Sequence, residues 1–334
     1  MEEVKPIISF TIPTWNRAKE LRECLDSIIP QILELNERVE IVISDNASTD
    51  DTSEIVKEYL GKYDFVRYFR NSENLGFDLN LISAVEKADG EYVWLFSDDD
   101  WLADGALEGI IDIIKRYQPC FISTNYHYVS NNRVSDFRMH RKCMVLQDID
   151  NCDVNEVLRH KSHFISFVTS NIIRKNNIDL EDCKSNVEFC SHWIQVYMAA
   201  QALERGECGY LSSFYAVLSR IGNDRVNSNV FLESMPNAFK HVFEQFTVEK
   251  QVQEKVLADM RKVFLTFRKW VKILIIKQSE TVYALPVPVY YKLIRFIPRR
   301  MLIFSWKMFR LLEGKGFSLP DDVKQALYTG ELGL

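Results

Sequence analysis

Short apolar runs alternate with amphipathic segments through the first 130 residues of the chain. The apolar runs have the length and the β-branched content of buried strands, and they lie at Ile7–Ile12, Val39–Ser44, Phe65–Phe69, Glu91–Ser97 and Cys120–Val129. Between them, apolar residues recur every three or four positions, as in amphipathic helices, over 17–35, 50–60, 77–88 and 104–117. This alternation predicts a three-layer α/β/α fold around a mostly parallel central sheet.

The pattern is less regular from about residue 130 to 250. Residues 169–174 resemble a strand and residues 192–205 a helix. Helical periodicity then dominates from about residue 236. We predict one domain at 1–235 and a helical region at 236–334. The domain divides into a nucleotide-sugar half at 1–105 and an acceptor half at 106–235.

Composition places the chain among globular proteins. Apolar residues make up 47% and charged residues 26%, which excludes a disordered or fibrous chain. Its apolar runs are far shorter than the roughly 18 residues that a membrane-spanning helix needs. The acidic N-terminus does not resemble a signal peptide, and the seven cysteines lack CxxC spacing. We therefore expect reduced thiols in a cytoplasmic protein.

The net charge of −6 conceals an asymmetry along the chain. Residues 1–250 carry 26 Lys and Arg against 40 Asp and Glu, whereas residues 251–316 carry 14 against 4. The basic segment is also rich in aromatic residues, as in 261–277 and 290–312. Large apolar side chains with Lys and Arg on a helix suit an anionic membrane surface. The alternatives are a helical subdomain packed on the core and nucleic-acid binding, which the acidic body disfavours.

Three consecutive aspartates, Asp98, Asp99 and Asp100, end the fourth predicted strand. Alternate residues of an extended chain share a face, so Asp98 and Asp100 point the same way. Two carboxylates at the mouth of a sheet repel each other unless a cation lies between them, and Mg²⁺ or Mn²⁺ bound to substrate phosphates is the usual one. A solvated turn is the alternative for the triplet alone.

Neighbouring segments favour a metal site over a solvated turn. They read SFTIPTWNR from residue 9, VISDNASTDDT from residue 42 and NSENLGF from residue 71, and the aspartates follow in FSDDD from residue 96. Together these segments resemble glycosyltransferase family 2, the nucleotide-diphospho-sugar transferases of the GT-A fold. The sequence NLGFDLN…GEYVWLFSDDD is most similar to the abequosyltransferase and rhamnosyltransferase branch, which builds bacterial surface polysaccharides such as O-antigen and capsule. The resemblance is strong over residues 7–105.

This resemblance implies roles for the residues of the four motifs. Asp45 would hydrogen-bond the nucleobase, Asp98 would contact the ribose, and Asp99 would be a spacer at the sugar nucleotide. Asp100, with Asp98, would hold Mn²⁺ or Mg²⁺. The remaining residues expected to line the nucleotide-sugar site are Thr11, Pro13, Thr14, Arg17, Asn74, Gly76 and Asp78. Where the family often reads DDGS this chain reads Asp45-Asn46-Ala47-Ser48, and Asp78 has an equal alternative as an N-terminal helix residue.

An inverting transfer also needs a general base for the acceptor hydroxyl. The family usually supplies an aspartate from an ED pair, some ninety residues past the metal motif. Here Ser191-His192-Trp193 occupies that place. Histidine titrates near neutral pH and can take the same proton, so His192 is the first candidate and Glu188 is the rival. The alternative for His192 is an ordinary helix-face residue.

The sequence thus predicts a metal-dependent inverting glycosyltransferase. The donor would be a UDP, dTDP, CDP or GDP sugar, and the acceptor a saccharide on an undecaprenyl-type lipid at the inner face of the bacterial membrane. A catalytically inactive relative that acts as a scaffold in polysaccharide assembly is the main alternative. A nucleotidyltransferase is disfavoured because the first loop lacks glycine. A homodimer is open, since basic amphipathic helices also pair.

Overall fold

The computed structural model describes residues 5–130, 133–135, 144–206, 208–220 and 234–260. The strands are β1 (Ile8–Thr14), β2 (Val39–Asp45), β3 (Val66–Arg70), β4 (Tyr92–Leu95), β5 (Trp101–Leu102), β6 (Phe121–Ser130), β7 (Arg133–Ser135), β8 (Ile149–Cys152), β9 (Asn171–Arg174) and β10 (Gly209–Arg220). The helices are α1 (Ala18–Glu34), α2 (Thr52–Leu60), α3 (Phe77–Lys87), α4 (Ala106–Tyr117), α5 (Val154–Lys161), α6 (Leu180–Ser185), α7 (Ile194–Gly206) and α8 (Met235–Gln245). Every strand and helix predicted in the first 130 residues is present, with ends that differ by a few residues.

A single sheet runs through the described part of the chain, in the order β3-β2-β1-β4-β9-β6-β10-β5. Strands β3, β2, β1 and β4 pair in parallel, as do β6 and β10. Strand β9 is antiparallel to both of its neighbours, β4 and β6. The prediction of a mostly parallel sheet is confirmed, and the carboxyl ends of β1, β2, β4, β6 and β10 lie at one edge, where such sheets bind ligands.

Helices cover both faces of this sheet. Ile8, Phe10 and Ile12 alternate along β1 and pack in the core cluster that includes the apolar faces of α1, α2 and α4. Phe10 stacks on Trp94 of β4 with ring centroids 5.0 Å apart, which closes that core between adjacent strands. Helix α3 packs on the other face against β1 and β2, and α7 packs there against β6 and β9.

Two of the strand boundaries that differ from the sequence expectation have a structural explanation. Pro13 was expected to end β1, but the strand continues to Thr14. The pairing of β1 with β4 ends at Thr11 and Leu95, so the missing N–H of Pro13 faces a side where no ladder bond is needed. The strand expected at 169–174 begins only at Asn171, and a 3₁₀ turn over Val168–Ser170 precedes it.

The first part of the predicted C-terminal region is bonded to the body of the domain. In the segment after α8, the Glu249 N–H donates to Asn155 Oδ1 at 2.7 Å, and Arg159 pairs with the Glu249 carboxylate at 2.6 Å. His241 Nε2 lies 2.7 Å from Asn186 Oδ1. The basic segments 261–277 and 290–312 lie outside the described residues. Within the described ranges, no helix has the length and apolarity to cross a membrane.

We predict opposite effects of alanine at two glycines. A Cβ at Gly90 would lie 2.4 Å from Ser9 Oγ and 2.7 Å from Ser9 N, whereas a Cβ at Gly109 in α4 meets nothing within 4 Å. Gly90→Ala should therefore lower the free energy of unfolding by about 1–3 kcal/mol. Gly109→Ala should raise it by about 0.5–1 kcal/mol, because alanine is the better helix former. Urea denaturation measures both, and equal stabilities would contradict the packing at Gly90.

Candidate active site

Loops that follow β1, β2 and β4 meet at the carboxyl edge of the sheet. The Asn46 N–H donates to the Thr14 carbonyl at 2.9 Å, and the Asn16 N–H donates to Ser48 Oγ at 2.9 Å. Asn16 and Ala47 both have positive φ, of 52° and 59°. Such backbone is uncommon outside glycine and is often found at functional sites. The two loops therefore form one bonded surface beside the aspartate triplet.

Asp98 is held by residues of the first loop. Thr14 Oγ1 donates to Asp98 Oδ2 at 2.7 Å, and Arg17 Nη1 donates to Asp98 Oδ1 at 3.0 Å. Burial raises the pKa of Asp98 to about 7, and the charge of Arg17 opposes this rise. Both carboxylate oxygens are thus engaged within the protein, and the two side chains expected at the nucleotide orient this aspartate.

Asp99 is more than a spacer in this structure. Arg17 Nη1 lies 2.5 Å from Asp99 Oδ2, and the Ser97 hydroxyl donates to Asp99 Oδ1 at 2.6 Å. Arg17 therefore bridges two neighbouring carboxylates, and charge-assisted bonds of this kind are the strong ones. Its guanidinium therefore faces the aspartate triplet.

Asp100 takes its partners from the other half of the domain. It is only 3% exposed, and the Thr169 hydroxyl donates to its Oδ2 at 2.5 Å. The Ser219 hydroxyl and the backbone N–H of Arg220 also donate to it. Burial and the charge of Asp99 raise the pKa of Asp100 to about 7, against the effect of these bonds. The carboxylate is thus desolvated and held in one orientation.

The residues at this edge fit a divalent cation that the substrate helps to bind. Arg17 pairs with Asp98 and Asp99, and no ion pair to Asp100 is found among the described residues, so the three carboxylates outnumber the cations that face them. Two bonds to Asp98 and three to Asp100 leave at least one lone pair free on each carboxylate. The described residues hold no cluster of three or more potential metal ligands. Mg²⁺ commonly binds through one or two carboxylates and substrate phosphates, so both Asp98 and Asp100 can be ligands.

Asp45 lies at the carboxyl end of β2 and is fully buried. Tyr68 OH donates to its Oδ2 at 2.6 Å, and the Ser48 N–H donates to its Oδ1 at 2.9 Å. Arg70, which is half exposed, lies 3.7 Å from the same carboxylate. Tyr68 and Arg70 were not predicted from the sequence, although alternate residues of a strand beside β2 share a face. Asp45 thus connects β3 to the loop that follows β2.

Asn46 is the centre of an amide network that fixes the loop before α3. Its Nδ2 donates to Asn74 Oδ1 at 2.7 Å and to the Gly76 carbonyl at 3.1 Å, and its Oδ1 accepts from the Leu75 N–H at 2.8 Å. Gly76 has φ +81°, a conformation that glycine adopts without strain. An aspartate at position 46 could not donate these two bonds, which explains the departure from the DDGS pattern.

Asp78, in the first turn of α3, is bonded to the segment at the beginning of α7. Its carboxylate accepts from the backbone N–H groups of His192 at 2.6 Å and Ile194 at 3.2 Å. These N–H groups have no partner within their own helix at an N-terminus, so the carboxylate caps α7 from a separate element. Burial raises the pKa of Asp78, and the two N–H groups oppose the rise.

Both candidate bases are exposed. His192 has φ +68°, and its Nδ1 lies 3.0 Å from Ser191 Oγ. Glu188 lies in the turn between α6 and α7. The predicted helix at 192–205 begins instead at Ile194, so His192 is in the connection that leads into it. The structure therefore places both side chains where a solute can reach them.

Comparisons with known proteins bear on this arrangement. The profile of Glycosyl transferase family 2 matches residues 9–180, slightly more than half of the chain. The abequosyltransferase RfbV of Salmonella typhimurium is 48% identical over 102 residues, which cover 30% of this chain and 30% of that protein. The GalNAc(5)-diNAcBac-PP-undecaprenol beta-1,3-glucosyltransferase of Campylobacter jejuni is 34% identical over 107 residues, or 32% of this chain and 34% of that protein. The match thus spans about a third of these relatives.

Solved structures share the fold over most of the chain. The S. aureus TarS 1–349 structure with UDP-GlcNAc has a TM-score of 0.58 at 18% identity, and the match covers 88% of this chain and 82% of that one. The mannosyltransferase PcManGT of Pyrobaculum calidifontis, in complex with GDP-Man and Mn²⁺, has a TM-score of 0.55 at 14% identity, over 92% and 81%. These matches confirm the predicted architecture, and the sequence relatives confirm the resemblance to the abequosyltransferase branch.

We predict that Asn46→Asp destabilises the protein although it moves the loop toward the family's DDGS pattern. The new oxygen would face the Asn74 and Gly76 oxygens that Nδ2 now serves, and it would carry charge at a position only 3% exposed. Leaving such acceptors unpaired should cost about 2–4 kcal/mol of unfolding free energy. Asn36→Asp, at an exposed site, is the control in the same urea titration. Equal midpoints for the two variants would refute the network.

Proposed function

Since the chain belongs to glycosyl transferase family 2, we propose that it is a metal-dependent inverting glycosyltransferase. It moves a hexose or deoxyhexose from a nucleoside-diphosphate sugar to a saccharide acceptor in the synthesis of a bacterial surface polysaccharide. The observation that carries this proposal is the contact of Asp98 and Asp99 with Thr14 and Arg17 at the carboxyl edge of the sheet, where the β1 loop is bonded to the β2 loop. The transferase names of the sequence relatives support it.

The donor half of the site orients the nucleotide sugar. Asp98, held by Thr14 and Arg17, takes the ribose side, and the β2 loop with Asp45 takes the nucleobase side. Asp100, with Asp98, would hold Mn²⁺ or Mg²⁺, which would supply positive charge to stabilise the departing diphosphate. The narrow, desolvated setting of Asp100 makes each electrostatic contact there stronger than it would be in water.

The acceptor half of the domain supplies the general base. His192, at the start of α7, removes the proton of the acceptor hydroxyl as that oxygen attacks the anomeric carbon from the side opposite the leaving diphosphate. One displacement with inversion results. Asp78 fixes the backbone of this segment through the N–H groups of His192 and Ile194, and Glu188 is the alternative base.

We further place the acceptor on a lipid carrier at the inner face of the cell membrane. The name of the Campylobacter relative includes an undecaprenol-linked glycan, and the segment at 251–316 combines Lys and Arg with aromatic residues. A basic amphipathic surface of this kind is attracted to anionic lipid. Attachment there brings the transferase to an acceptor that cannot diffuse into the cytoplasm.

A scaffold without turnover is the second candidate. It is favoured by one observation, the replacement of the family's usual acidic pair by Ser191-His192. A scaffold and an enzyme both bind the nucleotide, and only the enzyme releases it as product. Turnover of the donor therefore separates the two.

We predict that one nucleoside diphosphate raises the melting temperature in the presence of Mn²⁺. UDP, dTDP, CDP and GDP are compared with and without the metal on wild type, Asp100→Asn and the exposed control Asp112→Asn. At about 100 times the dissociation constant the shift should be several degrees, and Asp100→Asn should lose its metal-dependent part. A folded wild type that responds to none of the four would refute the donor site.

We predict that the two base candidates differ in rate and in pH dependence. His192→Ala should lower kcat by roughly 10²- to 10⁴-fold, whereas Glu188→Ala should leave it within about threefold. A protonated base cannot take the hydroxyl proton, so the variant that loses the base should also lose the fall of log kcat at low pH that wild type shows. Donor turnover across pH measures this, and unchanged rates in both variants would exclude both residues.

A further inference from the structure

Thr169 belongs to none of the sequence motifs, yet it makes three hydrogen bonds to residues between Trp94 and Asp100. Its hydroxyl donates to Asp100 Oδ2 at 2.5 Å and accepts from the Ser97 N–H at 3.1 Å. Its backbone carbonyl accepts from Trp94 Nε1 at 2.9 Å. The residue is fully buried, so it cannot exchange these partners for water without local opening.

The antiparallel course of β9 explains this placement. Trp94 of β4 pairs with Ile172 of β9, and Val93 pairs with Ile173. Residues just before β9 therefore lie beside residues just after β4, where the chain leads into the triplet. The 3₁₀ turn over Val168–Ser170 then points a hydroxyl at Asp100 without extending the strand.

The two ends of the triplet are oriented by different halves of the domain. Asp98 takes its bonds from Thr14 and Arg17, which follow β1. Asp100 takes its bonds from Thr169 and from Ser219 and Arg220 at the end of β10. Three hydrogen bonds hold the Asp100 carboxylate in one orientation and leave one of its lone pairs free for a further partner.

We propose that Thr169, assisted by Ser219, is a positioning residue that sets the orientation in which Asp100 receives the divalent cation. This inference rests on the proposed function. Hydrogen-bond partners of a ligating carboxylate fix its direction, and their loss commonly weakens metal affinity by 10- to 100-fold. Metal binding at the donor half is thereby made dependent on residues of the acceptor half.

Four variants test the proposal. Thr169→Val removes the hydroxyl at nearly constant shape, and Thr169→Ser retains it. Thr124→Val is the matched control, because Thr124 is also fully buried and its hydroxyl has no partner among the described residues. Ser219→Ala removes the second hydroxyl that donates to Asp100, and it tests the positioning role if Thr169→Val does not fold.

The readout is Mn²⁺ binding to the whole chain at a saturating concentration of the nucleotide that stabilises wild type. Loss of the free-Mn²⁺ electron paramagnetic resonance signal gives the dissociation constant, and the Mn²⁺ dependence of the melting temperature gives a second value. Thr169→Val should raise that constant by at least tenfold and Ser219→Ala by a few-fold. Thr169→Ser and Thr124→Val should stay within about threefold of wild type.

A purely structural role for Thr169 predicts a different result. A lower melting temperature with an unchanged Mn²⁺ constant in Thr169→Val, or in Ser219→Ala where Thr169→Val is unfolded, would overturn the positioning role and leave the proposed function intact. A folded wild type that binds Mn²⁺ neither alone nor with any nucleotide would instead overturn the proposed metal-dependent transfer, and this inference with it. Equal weakening in Thr169→Ser and Thr169→Val would also refute the hydroxyl's role.

Discussion

Burial of the carboxylates after β4 is the constraint on which the site depends. Asp98 and Asp100 carry charge in a setting where burial raises the pKa of each to about 7. A buried carboxylate is tolerated only when hydrogen bonds or opposite charge compensate it. Three elements supply that compensation: the β1 loop through Thr14 and Arg17, the turn before β9 through Thr169, and the end of β10 through Ser219.

The hydrogen bonds that compensate these buried carboxylates also connect the two halves of the domain. Asp98 is compensated from the first half and Asp100 from the second, so three consecutive residues are bonded to both. A second connection runs from α3 to α7, where Asp78 accepts from the N–H groups of His192 and Ile194. The two halves of the domain are thus joined at two places by buried carboxylates, whose bonds are costly to break.

Features of the fold and the site that depend on neighbouring residues of the sequence were predictable, and contacts between distant residues were not. Strands and helices up to residue 130 follow from local periodicity, and the family motifs bring Asp45, Asp98 and Asp100 to one edge. Thr169 and Ser219 were missed because their contacts with Asp100 span 69 residues or more, across an antiparallel strand that periodicity does not reveal. Tyr68 was missed for another reason, since a tyrosine in a strand is ordinary until its hydroxyl is seen on Asp45. Asp78 matched its helix-residue alternative only in part, because it caps α7 and not its own helix.

The amide network around Asn46 has a consequence for the exchange of loops between related enzymes. Asn71 Nδ2 donates to Asn46 Oδ1 and to Asn80 Oδ1, Asn46 Nδ2 donates to Asn74 Oδ1, and the Ser44 hydroxyl donates to Asn80 Oδ1. The amides of Asn46 and Asn80 each donate and accept, so replacing one member leaves its neighbours with the wrong polarity. A chimera that transplants the segment at 71–76 from a relative with an acidic second residue would thus carry a mismatched set. Positions 44, 46, 71, 74 and 80 therefore depend on one another, and a recombinant library should exchange all five together.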